Sequence, residues 1–187
     1  MNKTKRAIFE SAIKIFSTNG YDGATMDEIS ISAGVAKGTV YYYFKSKDEV
    51  FKYIITEGVS LLREQLESIN VGAGDYNFKL RELSRDQLKL VFENRDLFKV
   101  IMSQVWGGKI RHFELREMLK LYMEDIEKFL IKAMDDGIIK KCESSFLTYS
   151  YFGTLVSTAV YNVVKNDSMK LDEITDNFME HLLNGIK

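Results

Sequence analysis

The chain of 187 residues has no proline, one cysteine, one tryptophan and two histidines. Without proline, its helices have to be ended by glycine, asparagine and capping side chains. The lone Cys142 excludes an internal disulfide and reads as an idle loop thiol. His112 and His181 are isolated, and there is no clustered Cys/His set, no G-x-S-x-G, no H-E-x-x-H and no phosphate loop. Catalytic and metal-ligating residues are therefore expected to be absent, and an enzyme is the weaker of the function classes. Gly72 and Gly74 echo a dinucleotide fingerprint, but the third glycine is missing and no strand precedes them. The N-terminal MNKTKRAIFE lacks the apolar core of a signal peptide, so a cytoplasmic protein without a bound cofactor is expected.

Long runs without charge are scarce. The longest, 144–164, has the length of a bilayer span, but eight of its 21 residues are Ser, Thr or Asn and three are Tyr. Such a helix is better buried on most faces, inside the chain or between two copies of it, than set in lipid, so no membrane partner is expected. Acid is missing from 34–47, where Lys37, Lys45 and Lys47 give a local charge of +3 although the whole chain carries −1. Lys3, Lys5 and Arg6 form a second basic cluster.

What is present is helical spacing almost throughout. Ile8, Ala12 and Ile15 stripe a first helix over 3–18, with Gly20 as its stop. Thr25-Met-Asp-Glu28 is a capping box that starts a second helix at Met26, and Ser46-Lys-Asp-Glu49 repeats the device to start another at Lys47. Ala33-Gly34-Val35 is a turn between them, leaving a short helix over 37–44. Breaks at 71–75, 106–108, 135–137 and 165–168 divide the rest into helices over 47–70, 76–93, 95–105, 109–135, 144–165 and 170–185. The expected fold is all-α, with about nine helices.

On the short helix, Val40 set at zero puts Phe44 and Tyr43 at about 40° and 300°, on the core side. Tyr42, Gly38 and Lys45 fall at about 200°, 160° and 140°, facing away, with Thr39 and Tyr41 on the flanks. An outward face of glycine, threonine, two phenols and lysines buries poorly. It suits a phosphate-lined groove: Gly38 lets a backbone approach, and hydroxyls donate to phosphates while their apolar parts meet thymine methyls. Lys37 and Lys47 stand at helix N-termini, which already favour anions. A subunit contact is the competing reading of the same tyrosines.

The stretch TMDEISISAGVAKGTVYYYFKSKDEVF resembles the DNA-binding region of the TetR family of bacterial transcriptional regulators: a capped second helix, a glycine turn, K-G-x-x-Y-x-x-F and a lysine opening the fourth helix. The resemblance spans about residues 5–55. It implies a three-helix helix-turn-helix domain at 1–46 joined to a larger helical ligand-binding and dimerisation domain at 47–187. It implies base or phosphate contacts from Thr39, Tyr41 and Tyr42, phosphate contacts from Thr25, Lys37 and Lys47, and the Gly38 amide near the DNA backbone. Tyr43 departs from the family, where histidine is common.

One short helix reads too few bases to select a site, so two-fold pairing on a palindromic operator of double-stranded DNA is the usual remedy. Phe152, Leu155, Val156, Ala159, Val160 and Val163, beside the small Gly153 and Ser157, give one surface for a homodimer. Leu171, Ile174, Phe178, Met179, Leu182 and Ile186 continue it, and the resemblance implies that this pair of helices, within 144–186, forms the interface. The resemblance also implies a pocket for a small-molecule effector. Met102, Trp106, Phe113, Met118, Tyr122, Tyr149 and Phe152, together with Met134, are adaptable side chains suited to it, although helical Met and aromatic spacing more often marks core. The expected function is a dimeric repressor released from DNA by its effector; a helical enzyme and a membrane-associated structural protein are the alternatives.

Overall fold

The computed structural model describes the backbone of residues 1–106, 113–165 and 170–185, and all side chains there except those of 104–106, 113–115 and 163–165. The expected contributions of Val163 and Ile186, and the side chains of Trp106 and Phe113, lie outside the described residues, as does His112. Among the described residues there are nine helices and no strand: α1 Lys3–Gly23, α2 Met26–Ser32, α3 Lys37–Tyr43, α4 Lys47–Val71, α5 Tyr76–Glu93, α6 Arg95–Trp106, α7 Phe113–Asp135, α8 Ser144–Lys165 and α9 Leu171–Asn184. None is long and apolar enough to cross a membrane, among the residues described. The chain divides into two compact units, one of Met1–Ser60 with Asn94–Met118 and one of Leu61–Glu93 with Leu119–Lys187.

In the first unit Ile8, Ala12 and Phe16, spaced four apart, bury one stripe of α1. Ile29 of α2, Val40 of α3 and Val50, Phe51, Ile54 and Ile55 of α4 complete the core, each worth about 1.5–3 kcal/mol when fully removed from water. Phe51 meets the rings of Phe16 and Tyr21 edge-on at 5.2 and 5.0 Å. Gly58 of α4 lets α6 come close: a Cβ there would lie 3.1 Å from Ile101 Cδ1.

The first helix runs further than the expected 3–18. Gly20 takes φ 68°, ψ 174°, which breaks the helix without ending it, and a last turn continues to Gly23. The capping box of α2 is as expected: Glu28 N–H donates to Thr25 Oγ1 at 3.2 Å, and the Thr25 amide donates back to Glu28 Oε2 at 2.9 Å. A Schellman motif ends α2, with Gly34 at φ 65° donating to Ile31 O and Val35 to Ser30 O. The second box differs from expectation by one residue. Ser46 Oγ accepts from the Glu49 amide at 3.2 Å, but the Glu49 carboxylate closes on the amide of Lys45 at 2.7 Å.

In the second unit α5 packs along α9 and α8, and α8 along α9. Arg81 and Arg85 of α5 pair with Asp176 and Asp172 of α9 at 2.9 and 2.8 Å. Hydrogen bonding to Arg85 holds the Asp172 carboxyl below its usual range. A buried polar string crosses this core. Tyr151 OH donates to Gln87 Oε1 at 2.6 Å, Gln87 Nε2 donates to the Tyr122 oxygen, and Ser84 Oγ lies 3.3 Å from Tyr151 OH. Burial raises both phenols well above their ordinary pKa.

Six of the side chains expected on the subunit surface turn inward instead. Leu155, Val156 and Ala159 of α8 and Ile174, Phe178 and Met179 of α9 are buried within the chain itself. The side of α8 left open carries Phe146, Tyr149, Gly153, Ser157 and Val160. A helix that is uncharged all round has no polar face to tell its two sides apart, and here Leu155, Val156 and Ala159 turn inward while Phe146, Tyr149 and Val160 stay out.

Candidate nucleic-acid interface

Val40 and Phe44 place α3. Both are fully buried, and they fix the rotation of α3 so that the opposite side has to face out. Tyr42 is 74% exposed, Tyr41 is 38% exposed, and Gly38 and Lys45 are exposed, with Thr39 half-buried on the flank. The helical-wheel assignment is reproduced position by position. Tyr43 is half-buried, and its hydroxyl accepts from Asn2 Nδ2 at 2.8 Å, so the residue that departs from the family pattern ties the start of α1 to the end of α3.

Gly38 is informative for what does not surround it. Its φ is not positive, and a Cβ built on it meets nothing within 4 Å. The protein's own packing therefore does not require glycine at this position, in a helix where glycine costs stability relative to alanine.

The cations are already engaged. Lys37 Nζ contacts both carboxylate oxygens of Asp27, at 2.6 and 2.9 Å, and this hydrogen bond raises its pKa. Lys47 Nζ donates to the carbonyls of Ala24 and Asp22 at 2.9 and 3.3 Å and lies 4.7 Å above the Tyr21 ring, closing the end of α1. Lys45 Nζ donates to Tyr41 O at 3.1 Å, at the C-terminal end of α3. The Thr25 hydroxyl spends its proton on Glu28 Oε2 at 2.8 Å. In the N-terminal cluster, Lys5 sits 3.9 Å above the Tyr53 ring and Arg6 pairs with Glu10. Asp27 is the polar residue of this surface that a charge count confined to 34–47 passes over.

The expected effector residues are divided between the two units. Met102 and Met118 belong to the first unit, where Thr56 Oγ1 lies 3.7 Å from Met118 Sδ. Tyr122, Tyr149 and Phe152 belong to the second. Tyr122 and Met134 are buried, Tyr122 inside the polar string, whereas Tyr149 is 61% exposed on the open side of α8. A groove of 530 Å³ in the second unit lies between α8 and α9, lined by Thr154, Ser157, Tyr161, Asn177, Phe178 and His181 among others, and it shares none of the expected residues.

Residues 8–54 match the family model of bacterial regulatory proteins of the tetR family. A solved structure from Clostridium perfringens, described as a candidate fatty acid metabolism regulator, is 41% identical, covers 97% of this chain and 98% of its own, and superposes with a TM-score of 0.89. The biofilm operon negative transcriptional regulator IcaR of Staphylococcus epidermidis is 42% identical over 144 residues, 76% of each chain. The Bacillus subtilis regulator FadR, solved in complex with stearoyl-CoA, is 25% identical over 98% of this chain and 100% of its own, with a TM-score of 0.77. These relatives are transcriptional regulators rather than enzymes. The surface built on α3 thus has its family: the chain belongs to the tetR family of bacterial regulatory proteins and is a DNA-binding transcriptional regulator.

Proposed function

We propose that the chain is a homodimeric repressor that binds a palindromic operator through the major groove and leaves it when a small-molecule effector with a long acyl chain binds. The observation that carries the DNA assignment is Gly38: a helical glycine with open space around it, flanked by exposed Tyr41, Tyr42 and Lys45, fits a surface shaped for a partner's backbone. Thr39, Tyr41 and Tyr42 would meet bases and phosphates, and Gly38 would let the sugar-phosphate chain come close. Lys47 keeps one N–H beyond the two bonds to carbonyls for a phosphate; Thr25 would have to turn its hydroxyl away from Glu28. We keep 1–46 as the DNA-reading part and 47–187 as the part that dimerises and senses.

The second copy would dock on the open side of α8. Phe146, Tyr149 and Val160 expose apolar surface there, Gly153 and Ser157 allow close approach, and the groove beside α9 offers a recess. Repression is supported by the negative regulator IcaR, and an acyl effector by the fatty acid regulators among the relatives. The test is fluorescence anisotropy against a duplex selected by the protein from a random library, beside a scrambled duplex, at several salt concentrations. Tight, palindrome-dependent binding that stearoyl-CoA reverses is the expected result. Equal weak binding to both duplexes would defeat the DNA reading, and operator binding indifferent to stearoyl-CoA would defeat the acyl reading alone.

A further inference from the structure

Tyr43, the last residue of α3, is half-buried and held at its hydroxyl, which accepts from Asn2 Nδ2 at 2.8 Å. Asn2 is itself fixed. Its Oδ1 accepts from the Lys5 amide at 2.8 Å and caps α1, so both polar atoms of the side chain are in use and the Tyr43 ring is anchored to a helix end. Tyr42 beside it is the reverse. It is 74% exposed, and among the described residues its hydroxyl has no hydrogen-bond partner. Neighbours on a helix diverge by about 100°, so adjacent side chains do not ordinarily meet. Here they do: the two rings stand edge-on, with centroids 5.1 Å apart and planes at 86°.

We propose that Tyr43 is a positioning residue for DNA binding: held by Asn2, its ring selects the orientation in which the exposed Tyr42 ring meets the operator. The inference rests on the assignment of the α3 face to DNA. A tyrosine in a helix has two χ1 wells open to it, and an exposed one without an anchor is divided between them. Edge-to-face contact with a ring that is tied down favours one well before DNA arrives. Ordering the side chain on binding then costs less, and the saving shows as affinity without a new contact. Without its hydroxyl the Tyr43 ring loses the tie to Asn2 and supports its neighbour less firmly. A purely structural Tyr43 would join α1 to α3, and its loss would act on the fold whether or not Tyr42 is present.

The test uses the full chain with Tyr43→Phe, which removes only the hydroxyl, and with Asn2→Ser, which keeps a cap for α1 but has no second polar atom for Tyr43. Each is made in the parent and in a Tyr42→Ala background. Anisotropy is read on the selected operator between about 50 and 200 mM salt, with thermal melts to confirm folding. Each variant alone should weaken operator binding about three- to tenfold. The slope of log affinity against log salt should stay as it was, since no cation is moved. With Tyr42 already alanine, neither change should weaken binding further, because the ring they position is gone. In NMR spectra of the free protein the Tyr42 ring protons, assigned by their loss in Tyr42→Ala, should move toward the shifts of an unstacked tyrosine in Tyr43→Phe. A loss of affinity that persists without Tyr42 would overturn the proposal, since the hydroxyl would then act on DNA or on the whole fold. So would the parent's affinity in either variant, a changed salt slope, or Tyr42 ring shifts that stay put. Tyr42→Ala with the parent's operator affinity would instead defeat the underlying assignment of α3 to DNA.

Discussion

Two helices of this chain turn hydroxyls and tyrosines outward, and they are chemically alike except in charge. α3 exposes Tyr41 and Tyr42 between Lys37 and Lys45 in seven residues. α8 exposes Phe146, Tyr149, Ser157 and Val160 along 22 residues with no charge before its final lysine. Phenols and small side chains make a surface that accepts either a nucleic acid or another protein, and the neighbouring charges decide which. Lysines supply the attraction to phosphate that dominates DNA affinity. Their absence removes both that attraction and the repulsion that would keep two copies of α8 apart.

The comparison breaks most sharply when charge is added to the uncharged helix. Ser157→Glu places a carboxylate on the open side of α8, and at a two-fold axis it would face its own copy. Sedimentation should show a shift from dimer to monomer. Operator affinity should fall at least about a hundredfold, because two half-sites are no longer read together. An unchanged dimer mass would move the interface off α8. Removing the aromatic from the charged helix should do less. Tyr42→Ala should cost operator binding about ten- to a hundredfold, or about 1–3 kcal/mol for lost base contacts, with no change in Tm because the ring is exposed. Tyr149→Ala, at a similarly exposed ring, should leave the salt slope of DNA binding as it was. If the two tyrosines behave alike, charge is not what separates these faces.

The buried tyrosines make a third contrast, with both exposed sets. Tyr122 and Tyr151 sit in the core string with Gln87, and burial keeps their protons on beyond the ordinary phenol range. Above pH about 10 the unfolded chain loses these protons while the folded chain keeps them. Stability must then fall as pH rises, by about 1.4 kcal/mol per pH unit for each such phenol until the folded one ionises. Denaturant melts between pH 9 and about 11.5 should show this decline, and Tyr151→Phe should show a shallower one. A parent whose alkaline decline matches that of the Tyr151→Phe variant would mean that the core string is wet.

Much of the structure around α3 was legible because its determinants are local. The Thr25 to Glu28 box, the Gly34 turn and the rotation of α3 set by Val40 are all decided within a few residues. What the sequence hid involves choices between partners of similar chemistry. Glu49 had the amides of Lys45 and Ser46 within reach and took the former. The basic count over 34–47 missed Asp27, which the fold returns to Lys37 from outside the window. Along α8, apolar residues surround the whole helix, so periodicity alone could not say that Leu155, Val156 and Ala159 turn inward while Val160 stays out. The same ambiguity left Tyr149 grouped with buried Tyr122 as effector residues although they face different surroundings.

The smallest expected effect separates stability from function at one atom. Gly38→Ala adds a methyl where nothing of the protein lies within 4 Å, at a φ any residue adopts. Alanine restricts the unfolded chain and favours the helix by up to about 1 kcal/mol, so the variant should melt about 1–4 °C above the parent. The same methyl points toward the surface assigned to DNA, where it would hold the phosphate chain off and weaken operator binding severalfold. Opposite signs in the two measurements are what a glycine kept for a partner's sake requires. A variant that is both more stable and equally tight on the operator would leave the glycine without a reason and shift the close approach to another part of α3.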